Sequence, residues 1–90
     1  MVDTPNPEQV ERIIEQMRVE GRTFWDFWAD YHQGEQITYS YDAAAGEFVR
    51  ETADVIVGAY FHGHPMSRET LAETLARFSL HEFREQGFQV

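Results

Sequence analysis

The spacing of hydrophobic positions changes along this chain, and each change marks an element. Val10, Ile13, Ile14 and Met17 fall at i, i+3, i+4 and i+7, which is one face of a helix. Asn6-Pro7-Glu8-Gln9 supplies its start, with Asn at the N-cap, Pro at the first helical position and Gln placed to bond back to the cap. Gly21 is suited to a left-handed C-terminal cap. Glu8, Glu11 and Glu15 lie off the apolar stripe, so the outer face of this helix is acidic.

Phe24, Phe27, Trp28 and Tyr31 repeat the helical spacing. With Thr23 as cap and Asp26 three residues beyond it, they predict a short aromatic-faced helix that closes near Gly34. A domain of this length needs large side chains in its core, so Phe24, Phe27 and Trp28 are expected inside. Trp25 falls off the stripe and is a candidate interface residue.

From Ile37 the period drops to two. Ile37-Thr38-Tyr39-Ser40-Tyr41 and Glu47-Phe48-Val49-Arg50-Glu51 flank Asp42-Ala43-Ala44-Ala45-Gly46, a hairpin with a type I turn closed by a left-handed glycine. Tyr39 and Tyr41 share one face and would extend an interaction surface if no helix covered them. Val55-Ile56-Val57-Gly58-Ala59-Tyr60-Phe61 is a continuous apolar run and predicts a buried third strand. The same region also fits a helix over residues 53–62 that stops at Gly63, which would leave a two-stranded hairpin. A final helix is expected from a Ser67 cap through Leu71, Ala72, Leu75, Ala76, Phe78, Ser79 and Phe83 to Gly87.

The order α-α-β-β-β-α predicts an α+β fold, a hairpin or three-stranded antiparallel meander packed by helices. Ninety residues suit one domain spanning 1–90, with residues 1–5 a flexible polar lead. Hydrophobic residues make up 42% of the chain and aromatic residues 14%, which is enough to drive folding. No apolar run approaches the roughly 20 residues that cross a bilayer, and Met1-Val2-Asp3-Thr4-Pro5-Asn6 lacks the features of a secretion signal, so a cytoplasmic protein with no membrane partner is expected.

Composition narrows the chemistry. The chain has no cysteine, which removes thiolate nucleophiles, thiolate metal sites and disulfides. It carries 16 acidic residues against 7 basic ones, a net charge of −9, and every basic residue is arginine. Binding to a phosphate backbone is disfavoured by that balance, and Schiff-base or phosphate-loop chemistry has no lysine to use.

One segment has the residue types of a site. In His62-Gly63-His64 the histidines are two apart, and in extended chain both would reach the same side; Glu69 follows as a possible third ligand. The run Gly58, His62, His64, Glu69 resembles the H-x-H-plus-Glu metal motif of cupins over barely a dozen residues. The chain has neither the strand count nor the second motif of such a barrel, so the family's function is not carried over. The alternative to a divalent metal is a polar junction, with Pro65 and Ser67 leading into the last helix.

No catalytic constellation or cofactor motif is complete. The expected function is therefore non-enzymatic: a small acidic protein acting through a protein partner or self-association, as a regulator or a homo-oligomer, with Trp25, Tyr39, Tyr41, Glu8, Glu11 and Glu15 as candidate contacts. The second reading is a metal-dependent protein built on His62, His64 and Glu69.

Overall fold

The computed structural model describes residues 3–54 and 61–90. Helix α1 (Pro7–Glu20) forms between the caps its sequence encodes. Asn6 Oδ1 accepts from the Gln9 N–H and Gln9 Oε1 from the Asn6 N–H, both at 2.9 Å, and Gly21 ends the helix at φ 72°. Val10, Ile13, Ile14 and Met17 are all buried.

The chain then enters strand β1 (Phe24–Trp25), helix α2 (Phe27–Gln33), strands β2 (Glu35–Asp42), β3 (Glu47–Asp54) and β4 (Phe61–Met66), and helices α3 (Arg68–Leu75) and α4 (Leu80–Glu85). The strands form one antiparallel sheet in the order β1-β2-β3-β4. This is an α+β domain, as the pattern predicts, with a four-stranded sheet in place of the hairpin or three-stranded meander.

The hairpin β2–β3 has the expected loop. Asp42 Oδ1 accepts from the N–H groups of Ala44 and Ala45, the Gly46 N–H bonds to the Asp42 carbonyl at 2.8 Å, and Gly46 has φ 70°. Residues directly opposite in antiparallel strands share a face, so Ile37, Tyr39 and Tyr41 stand with Thr52, Arg50 and Phe48 on the side that meets the helices.

Three expectations need correction. Helix α2 is capped by Asp26, not Thr23, because Phe24 and Trp25 are extended and pair with Tyr39 and Thr38. The segment Phe61–Met66 is strand paired with β3, so His62-Gly63-His64 is extended chain, with Gly63 opposite Glu51 and His64 opposite Arg50. Ala53 and Asp54 belong to β3 and Phe61 and His62 to β4, which rules out a helix spanning 53–62, while residues 55–60 of the predicted third strand lie outside the described residues.

The third correction concerns the last helix, which is two helices. Ser79 accepts from the Glu82 N–H while the Glu82 carboxylate accepts from the Ser79 N–H, a capping box that restarts the chain in a new direction. The turn aims Phe78 and Phe83 at Phe24, and Phe88 closes the cluster from the C-terminal side.

Two glutamine side chains tie distant segments together. Gln86 Oε1 accepts from the Trp25 N–H at 2.7 Å and its Nε2 donates to the Trp25 carbonyl at 2.8 Å, so a side-chain amide stands in for a neighbouring strand beside β1. Gln16, at 7% exposure, forms the same reciprocal pair with the backbone of Gln89 at 2.8 and 2.9 Å.

Gln16→Leu should therefore destabilise the domain by about 1–2 kcal/mol, because it breaks both bonds and leaves Gln89 to be satisfied by water alone. In thermal unfolding the loss should appear as a drop of about 4–8 °C per kcal/mol. Gln33→Leu on the exposed end of α2 is the control and should shift Tm little.

Candidate interaction surface

Helix α2 is short, and one small residue fixes it to the core. Asp26 Oδ1 accepts from the Ala29 N–H at 3.1 Å, Gly34 closes the helix at φ 69°, and Ala29 is its one buried residue. Phe27, Trp28 and Tyr31 are 52%, 54% and 73% exposed. The expectation that Phe27 and Trp28 are core residues is thus overturned, and Phe24 alone of that stripe is buried among the helices. The physical reason is the change of backbone at Asp26: a stripe needs one continuous helix, and here Phe24 is on a strand.

The exposed rings contact one another. Phe27 stacks on Tyr31 at 5.9 Å, Tyr31 meets His32 edge to face at 4.9 Å, and Trp28 lies 4.9 Å from His32. Trp25 joins them through an edge-to-face contact with Phe27 at 5.3 Å. The result is a continuous aromatic surface running from β1 along α2. Trp25, the residue singled out from sequence, is half-buried at its margin, and its Nε1 is buried with no hydrogen-bond partner among the described residues. An orphaned donor of this kind costs about 1–3 kcal/mol.

The two tyrosines proposed for the same surface are elsewhere. Tyr39 is 4% exposed and belongs to the core, and burial raises the pKa of its hydroxyl. Tyr41 is half-buried against Phe48, with ring centroids 4.9 Å apart. Both lie on the helix-facing side of the sheet, which is the covered side.

The acidic face of α1 is partly engaged within the fold. Arg68 of α3 reaches Glu11 at 2.6 Å and Glu15 at 3.1 Å, and Arg18 reaches Glu15 at 2.8 Å. Two carboxylates thus meet two guanidiniums, which balances the charge locally and fastens α1 to α3; Glu8 remains exposed in the first turn. Hydrogen bonds from Arg18 and then Arg68 lower the Glu15 pKa to about 2.

The histidine segment lies on strand β4. His62 is opposite Thr52, His64 is exposed opposite Arg50, and Glu69 is exposed in the first turn of α3. Among the described residues no group of three or more His, Asp or Glu side chains is placed to hold a metal ion. No helix among them is long and apolar enough to cross a membrane.

The architecture and surface define a small α+β domain with an exposed aromatic face. Comparison with protein-family models, curated proteins and solved structures finds no match to this chain.

The Glu15 cluster titrates in a defined direction. The Glu15 pKa in the folded chain lies below the ordinary 4.5, so its pairs with Arg18 and Arg68 contribute fully above about 4.5 and are lost as pH falls toward about 2. In Arg68→Gln the Glu15 titration midpoint, followed by carboxyl NMR, should rise toward 4.5. The stability difference between native protein and Arg68→Gln should be constant above that pH, shrink below it, and weaken with added salt because the groups are solvent-exposed.

Proposed function

We propose that this protein is a non-enzymatic cytoplasmic binding module that takes a basic protein partner onto the aromatic surface of α2. The observation that carries the reading is the exposure of Phe27, Trp28 and Tyr31 on one short helix. Monomeric proteins seldom leave contiguous large aromatic rings in water, and Trp and Tyr are the residue types that dominate binding energy at protein interfaces. The rings add little to the fold's own stability, since Ala29 and the two caps hold the helix.

Charge selects the kind of partner. A net charge of −9 repels a second copy at long range and attracts a basic surface. Asp30 on α2 and Glu82 and Glu85 on the neighbouring helix place carboxylates beside the rings, which favours a cationic rim on the partner. The acidic face of α1 is a weaker candidate for this task, because Arg18 and Arg68 already occupy Glu11 and Glu15.

The double variant Trp28→Ala/Tyr31→Ala tests the surface. Both side chains are exposed, so its Tm should match the native protein, while affinity for a purified co-isolated partner should fall by at least about tenfold, and native binding should weaken with salt. Equal partner binding by the variant overturns the reading. A native dimer in sedimentation that the variant converts to monomer would replace the basic partner with self-association.

A further inference from the structure

A recess between β1 and α4 has a composition that specifies its ligand. Trp25 and Phe27 meet with ring planes at 89°, so they form two walls of a corner. Glu82, Glu85 and Gln86 complete a cavity of about 320 Å³. Gln86 bonds both backbone polar groups of Trp25, which fixes α4 against that wall. One Glu82 oxygen holds the Ser79 N–H in the capping box, so this carboxylate is also held in place. The Glu85 side chain is 67% exposed at the rim, with His81 Nε2 3.0 Å from its carboxylate.

The lining carries one sign of electrostatic preference. Aromatic faces are negative in their quadrupole and attract a cation within about 6 Å of the ring centroid, and the carboxylates add full negative charge. We infer that this recess receives an arginine side chain of the basic partner, an inference that rests on the interaction reading above. A guanidinium fits better than an ammonium. It is planar and weakly hydrated, so it stacks on an aromatic wall while its N–H fork bonds a carboxylate such as Glu85, whereas a lysine ammonium must give up a tight hydration shell to do the same.

The Trp25 indole N–H is a built-in reporter, since it belongs to the ring that forms one wall. Its NMR resonance, with that of the Gln86 side-chain amide, should move saturably on titration with N-acetyl-arginine-N-methylamide. The lysine derivative should bind more weakly, and the citrulline derivative, isosteric but uncharged, should produce no saturable shift. Glu85→Gln and Phe27→Leu each alter an exposed residue and should weaken the arginine derivative by roughly tenfold, at unchanged Tm. Trp28→Ala, outside the recess, should weaken the protein partner while leaving the arginine derivative's affinity as it was, so an idle recess on a working module and a failed module give different results. Absence of a saturable shift with the arginine derivative, or equal binding of citrulline, overturns the inference.

Discussion

The burial of Phe24 is the constraint on which the rest of this fold depends. Its ring is fully buried, stacked on Phe83 with centroids 4.4 Å apart and met edge-on by Phe78 at 4.9 Å and Phe88 at 6.3 Å. Burying such a ring contributes about 1.5–3 kcal/mol, and each well-oriented aromatic pair adds about 0.5–1.5 kcal/mol. Strand β1 has only two residues and could not persist on its own ladder. It persists because Phe24 is anchored from one side and the Gln86 amide closes its open edge from the other.

What happens at Phe24 decides what happens on the surface. Strand alternation turns Trp25 away from the core that holds Phe24. The hairpin from β1 to β2 must then be closed by the intervening residues, and α2 is that closure: the Asp26 N–H still bonds the Ile37 carbonyl at 2.8 Å, and the helix starts immediately afterwards. Because the strand sets its starting point, only Ala29 reaches inward, and the three large rings are left outside. The aromatic surface is thus a geometric consequence of a two-residue strand placed directly before a short helix.

Local signals in the sequence were readable and distant ones were not. The capped helix α1 and the Asp42–Gly46 hairpin turn are set by residues three or four apart, and both form as the pattern implies. The break in the last helix carried the same kind of signal in Ser79 and Glu82, but the apolar periodicity from Leu71 to Phe83 runs straight through it and concealed it. Phe24 to Tyr31 misled for the converse reason, since a perfect helical spacing spans a strand and a helix. The bonds of Gln16 to Gln89 and of Gln86 to Trp25 join residues 73 and 61 positions apart, and no local pattern encodes them. The candidate site was legible only at Trp25, because exposure of the other rings depends on where the helix begins.

The acidic excess and the aromatic surface make sense together on the interaction reading. Exposed rings alone would favour indiscriminate association, including with other copies of the chain. A net charge of −9 opposes that association and carries no comparable penalty against a basic partner. Specificity is a difference between affinities, so repulsion of like-charged surfaces discriminates as effectively as attraction of the right one. Arg18 and Arg68 sharpen the contrast by pairing with Glu11 and Glu15 on α1, while Glu82 and Glu85 line the recess with Trp25 and Phe27. On the interaction reading, the carboxylates of Glu82 and Glu85 beside Trp25 and Phe27 are what would distinguish a selective binding face from a merely sticky one.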